Sequence, residues 1–451
     1  MWRTIAGLAV PLLVAESLNF AVQLGIVAVL GRMGDDAVYL RSLYQPVSLV
    51  VLAVTVGFAV SHQVAAAISK GAGRPRDVMA NAASLARFWL GLGAALYLLL
   101  AIAAPLLTGL LQVDAEQRDT FVSFLRWTSA ASLPAVGAEL CAAGLRGYGY
   151  VRHATLLVVG TAGVRIGLVA GLGLGTGVGI AAVPVAEATA GLTGLAMGLV
   201  LLRRTELWHP SAVLVWRREV LTDLRRIGVP IALSLLLISA YNLAVIRVLG
   251  DYGQDAVAGF TVVSTVQNVV LLPGTVLGTA TAITINQQRG KGDWRRIRAL
   301  MRGGIEVTVI AYAAIAVLVW LVHDPLARLI GGDAGVAAAA GRYLGAVALT
   351  YAVQGPVLTS LTVMEETGGG FRAIVLNAVY FGLIVAVSAA SAHAAGSADG
   401  FYAAVAYGNL IGVSVPLIAV RHIRRLSAEG GAARQGTGRS ATRPRELSDT
   451  P

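Results

Sequence analysis

The sequence predicts an all-α integral membrane protein with twelve transmembrane helices in two parallel six-helix repeats. Three observations carry this. The chain has 451 residues, of which 56% are hydrophobic and only 13% charged, with a mean hydropathy of +0.73. Soluble domains carry about 25% charged residues, so a soluble chain this apolar could not cover its surface. Apolar runs of membrane-crossing length recur along the chain, and about 20 such residues suffice for one helix. Finally, the chain repeats itself at a constant offset of 219 residues. Val29-Leu30-Gly31-Arg32-Met33-Gly34-Asp35-Asp36-Ala37-Val38 returns as Val248-Leu249-Gly250-Asp251-Tyr252-Gly253-Gln254-Asp255-Ala256-Val257, with seven of ten positions identical. The same offset relates Pro11 to Pro230, Gly71 to Gly290, Gly73 to Gly292, Arg76 to Arg295, Asp114 to Asp333 and Gly149 to Gly368. Internal duplication in an apolar chain is the mark of transporters that handle substrate between their halves.

The first half supplies apolar segments at 5–30, 43–69, 86–107, 121–145, 154–174 and 179–202. Its opening run continues to Leu30, too long for a signal-peptide core, so it stays as helix one. Gly31 and Gly34 then permit a tight turn, and Asp36 caps helix two. Gly71-Ala72-Gly73 suits the end of that helix. Alternating glycines from Gly171 to Gly179 mark close packing and a tight turn between helices five and six. The second half supplies segments at 229–249, 256–285, 304–322, 343–364, 373–392 and 400–420. Pro273-Gly274 should kink the long eighth segment.

With the N-terminus inside, 27 of the 35 Lys and Arg residues fall in cytoplasmic segments and 5 on the other side. That bias places both termini in the cytoplasm of a multi-pass bacterial plasma-membrane protein. It also assigns the net charge of +11 to contact with lipid headgroups rather than nucleic acid. Six helices per half is an even number, so the repeats run parallel. The expected organisation is an N-terminal lobe over 1–202, a cytoplasmic linker over 203–228, a C-terminal lobe over 229–420 and a disordered cytoplasmic tail over 421–451. The linker, with Trp208 and Trp216, reads as an interfacial amphipathic segment.

Single Cys141 excludes an internal disulfide and reads as a small apolar packer. No phosphate loop, paired histidine motif or metal-ligand spacing is present, so enzyme chemistry and a metal site are not expected. His62 is expected to hydrogen-bond within the bundle. Ionisable residues deep in apolar segments are the strongest functional signal, because their burial in a bilayer is costly. Glu16, Arg165 and Glu187 each lie roughly 10 Å or more from either helix end at about 1.5 Å per residue. They read either as a structural Glu–Arg pair tying helices together or as a proton-titratable coupling site. Asn19 and Gln23 extend a polar stripe from Glu16 along helix one. Asn242, Gln267, Asn268 and Gln354 complete a candidate cavity lining.

With its proline-led first helices, paired Gly-x-x-Gly turns, Gly71-Ala72-Gly73, Gly290-Lys291-Gly292, Leu145-Arg146-Gly147-Tyr148-Gly149 and Gly179-Ile180-Ala181-Ala182, the chain resembles the multidrug and toxic compound extrusion (MATE) family from about Pro11 to Val420. The resemblance implies a V-shaped two-lobe exporter, coupled to H⁺ or Na⁺, that moves amphipathic compounds by rocking. It also implies coupling carboxylates that are missing here: their positions hold Ile26 and Ile238 and fall near Gly163 and Gly167. On this reading Glu16 is the proton site, with Arg165 and Glu187 as its partners. Arg165 in the cavity favours an anionic or zwitterionic substrate. The expected partners are a small-molecule substrate and the lipid bilayer, with no cofactor beyond the coupling ion and a monomeric state. A flippase of a lipid-linked precursor is the alternative.

Overall fold

The structure is a computed structural model that describes residues 2–440. The first half comprises α1 (Trp2–Met33), α2 (Asp35–Gly71), α3 (Pro75–Leu110), α4 (Arg118–Ala131), α5 (Leu133–Tyr148), α6 (Val151–Gly175) and α7 (Ala182–Arg203). The second comprises α8 (Glu219–Asp223), α9 (Val229–Leu249), α10 (Gln254–Lys291), α11 (Trp294–Gly331), α12 (Ala334–Val347), α13 (Tyr351–Met364), α14 (Gly370–Ala395), α15 (Ala398–Ile411) and α16 (Ser414–Ser440). Ten stretches are long and apolar enough to cross a membrane. One of them, Ala334–Ala395, holds two crossings, and α4 with α5, broken at Ser132, make the twelfth. Each lobe therefore has six crossings.

Several of the repeat anchors are places where the backbone must turn left-handed. Gly34 and Gly253 have φ of 124° and 102°, and Gly149 and Gly368 have 103° and 93°. A side chain at such a position costs about 1–3 kcal/mol. Gly31, by contrast, is helical, and a Cβ there would meet nothing within 4 Å. We expect Gly34→Ala to lower the thermal midpoint in detergent by several degrees and Gly31→Ala to leave it unchanged.

At Pro273 the ladder of α10 opens around an inserted hydroxyl. Tyr312 of α11, fully buried, accepts from the Gly274 N–H at 2.8 Å and donates to the Val270 carbonyl at 2.8 Å. Its hydroxyl thus bridges the i→i−4 pair, one of the recognised causes of a bend.

Two segments differ from the sequence expectation. The seventh crossing begins at Glu219, ten residues before the apolar run, through a π-helical turn over Leu224–Gly228. Arg217 anchors this entry to Asp77 at 2.7 Å. The expected disordered tail from 421 is instead the continuation of α16 to Ser440, and Ile423 packs at 1% exposure in the C-terminal core. The helix holds because Ser427 bonds the Trp294 carbonyl at 2.7 Å. Residues 441–451 lie outside the described residues.

The lobes touch in the half of the molecule that carries the two termini and most of the arginines. There α1, through Ile5, Ala9 and Leu12, shares a core with Val276, Leu277 and Ile283 of α10. In the opposite half the large hydrophobic clusters belong to one lobe each. The result is a V closed at its basic end.

Candidate functional site

Glycines create the closed end of the V. A Cβ on Gly71 would lie 2.8 Å from the Cα of Gly290, and one on Gly290 would lie 2.9 Å from the Cα of Gly71. Gly57 and Gly228 face each other in the same way, at 2.6 and 2.5 Å from the opposing carbonyl oxygens. The repeated glycines at 71 and 290 therefore do more than end helices: they let the two copies of helix two meet backbone to backbone.

Beside this seam lies a cluster of carboxyl groups. Between α13 and α14, the π-helical turn Glu365–Gly369 carries Glu366, only 2% exposed. Its Oε1 accepts from Thr279 of α10 at 2.7 Å, and its Oε2 accepts from Gln63 of α2, in the other lobe, at 3.3 Å. Asn286 donates to its backbone carbonyl at 3.0 Å. Glu365 accepts from Ser234 of α9 at 2.6 Å. Across the seam, Arg146 of α5 is ion-paired with Glu139, and the charges acting on it are Glu139, Glu16 and Glu366. Three carboxyls from both lobes thus act on one guanidinium, with Glu365 beside Glu366. Among the described residues the Nε of Arg146 has no hydrogen-bond partner.

The residues singled out from sequence separate into three places. Glu16, half-buried on α1, belongs with Arg146 and Glu139. Arg165 of α6 and Glu187 of α7 pair with each other at 3.6 Å. They are not the partners of Glu16. Ile166 packs against Gly25, nine residues beyond Glu16 on α1, which is about 13 Å along the helix at 1.5 Å per residue. Arg41 and Tyr44 of α2 join this second cluster, with the guanidinium 5.8 Å from the ring centroid. Asn19 is half-buried and Gln23 exposed. In the C-terminal lobe Asn242, Gln267 and Gln354 are half-buried, and the Gln354 Oε1 has no partner among the described residues. Asn268 is exposed. His62 is 1% exposed, yet its Nδ1 has no hydrogen-bond partner among the described residues, against the expectation of a bonded core histidine.

A paired-lobe helical fold with a polar seam fits a known architecture, and the profile of one family, MatE, matches residues 11–183 and 230–390. The chain belongs to the MatE family. The "Probable multidrug resistance protein NorM" of Burkholderia pseudomallei is 26% identical over 302 residues, which cover 64% of this chain and 62% of that protein. The "Probable multidrug resistance protein YoeA" of Bacillus subtilis is 30% identical over 112 residues, covering 25% of this chain and 24% of that one. The matches thus span less than two thirds of these relatives' length. The solved structure of the Vibrio cholerae MATE transporter VcmN in its bent form superposes with a TM-score of 0.87 at 19% identity, over 95% of this chain and 98% of that one. A MOP superfamily transporter from Pyrococcus furiosus gives 0.84 at 18% identity, over 95% and 96%.

Within this MatE chain the candidate site residues that the sequence reading did not single out are Glu365 and Glu366. They stand just past the tenth apolar segment, where a carboxylate reads as interfacial. The repeat held the signal: at the offset of 219, Glu365 occupies the place of Arg146 and Glu366 that of Gly147.

Proposed function

We propose that this chain is a proton-coupled exporter of a small amphipathic organic compound. It works as a monomer in the bacterial plasma membrane, with both termini cytoplasmic. One observation carries the reading: buried Glu366 takes a hydrogen bond from Gln63 of the opposite lobe, beside an Arg146 already paired with Glu139. The arginine bias supports placing the closed seam at the cytoplasmic face, with the cleft open outward.

The mechanism follows from charge balance. Burying an unneutralised carboxylate costs several kcal/mol, and Arg146 can offset one of the four carboxyls. Protons entering from the outward cleft neutralise the surplus and hold the seam closed. Opening toward the cytoplasm hydrates Glu366, and its proton leaves. The proton therefore moves inward as the seam opens, and substrate moves outward as the seam closes again. The relatives named as multidrug resistance proteins support export. Two guanidiniums, Arg41 and Arg165, around the single carboxylate of Glu187 support a substrate with an anionic or zwitterionic group.

Proteoliposomes test the coupling. A zwitterionic amphipathic dye should accumulate several-fold above the gradient-free level under an imposed pH gradient, and not under a Na⁺ gradient alone. Accumulation driven by Na⁺ without a pH gradient would overturn the proton assignment.

A further inference from the structure

The opposite side of the Glu365–Gly369 turn opens into a cavity of about 230 Å³ at the basic end of the C-terminal lobe. Arg226, Arg372, Arg425 and His422 line it, together with Thr367 and Gly369. Among the described residues none of the three arginines forms an ion pair with a carboxylate. Arg289 lies beneath, held to Asn286 at 2.7 Å, and its Nε is buried without a partner. Thr367 and His422 meet at 3.1 Å. The left-handed Gly368 ends one helix and starts the next, so α14 begins at this cavity with no side-chain cap and no acidic residue in its first turn. Exposed N–H groups at a helix N-terminus attract anions, and guanidiniums add bidentate donors. The opposing charges are Asp223, on which Arg289 and Arg226 act, and Glu429, which itself lines the cavity.

The first copy of the repeat is the internal control. At the offset of 219, Arg289 matches Lys70, Thr367 matches Tyr148, Gly369 matches Tyr150 and Arg425 matches Glu206. There the corner is filled, and its lysine is paired. Tyr148 and Tyr150 stack at 6.0 Å, Lys70 sits 4.4 Å from the Tyr148 ring centroid, and Lys70 pairs with Glu206 at 3.6 Å. The second copy has replaced the rings by Thr and Gly and the carboxylate by Arg. It is hollow and lined by three arginines where its twin is filled by rings and a lysine–glutamate pair.

The geometry points to a binding site for a phosphate-bearing anion, held by Arg226, Arg372, Arg425 and the start of α14. The chemistry is shared by an anionic lipid headgroup and a soluble phosphate ester. This inference stands independently of proton coupling, because its readout is binding.

Purified full-length protein in a neutral detergent is titrated separately with glycerol 3-phosphate and with short-chain phosphatidylglycerol, following the thermal midpoint. Saturable stabilisation by at least one is expected. If only phosphatidylglycerol acts, the ligand is a lipid headgroup; if both act, a soluble phosphate ester suffices. Arg425→Glu, which restores the first copy's charge, and the milder Arg372→Gln should each weaken the half-saturating concentration at least tenfold. Arg295→Gln, on the same face outside the cavity, should not. No saturable effect of either probe on the wild type, or equal weakening by Arg295→Gln, would overturn the site and leave general attraction to a basic face.

Discussion

Glu366→Gln is expected to reduce pH-driven transport at least tenfold while leaving the fold intact. The amide is nearly isosteric and can still accept from Thr279, which donates at 2.7 Å to the carboxylate, and meet Gln63 across the seam. It cannot gain or lose a charge. In the proposed cycle this freezes the group in its neutral form and the seam stays shut, because opening is driven by hydrating the carboxylate. Thermal stability in detergent should be unchanged or slightly raised, since no buried charge is left unpaired. Uptake assays in proteoliposomes, run beside a melting curve, check both halves of this statement. Wild-type uptake in the variant would remove Glu366 from the coupling site. Glu16→Gln should reduce transport less, because Glu16 is only half-buried and acts through Arg146.

Gly290→Val should have the opposite effect on conformation. The new Cβ would point at the backbone of α2, with the Cα of Gly71 at 2.9 Å. A backbone neighbour cannot rotate away, so the lobes must part. Overpacking of this kind costs about 1–3 kcal/mol, and each 1.4 kcal/mol is about tenfold in an equilibrium. The closed form should thus lose roughly 5- to 150-fold in relative population. A thiol placed at Ala67, fully buried in the inter-lobe core, reports the change. Ala67→Cys should label much faster when combined with Gly290→Val. Gly250→Val is the control, because a Cβ there meets nothing within 4 Å. Equal labelling rates in all three would mean that the glycine contact does not hold the seam.

The twelve crossings were legible because a membrane demands long apolar runs, and all eleven loops between them carry glycine or charge. The start of the seventh crossing at Glu219 was hidden because Arg225 and Arg226 sit inside it; the π-turn there needs no apolar sequence, only the anchor from Arg217 to Asp77. The helix past Val420 was hidden because its composition is polar, and contacts with α11 supply what composition does not. The site was half legible. Arg165 and Glu187 are two crossings of one lobe with deep charges, and they do meet. Grouping Glu16 with them failed because linear depth in a helix says nothing of height relative to a neighbour. Glu365 and Glu366 needed the residue-by-residue comparison of the copies. There a positive residue and a glycine become two carboxylates, and the charges that looked confined to one lobe are shared across the seam.

In the proposed cycle, protonation of the seam holds the basic end of the V closed. Spin labels at Arg76→Cys and Arg295→Cys, exposed repeat mates on opposite lobes in a Cys141→Ala background, measure that opening directly. Distances recorded in lipid across a pH series should show one short population at low pH and a longer one growing as pH rises. In Glu366→Gln the short population should persist throughout. A distance distribution that ignores pH in the wild type, or an equal pH response in Glu366→Gln, would contradict the account.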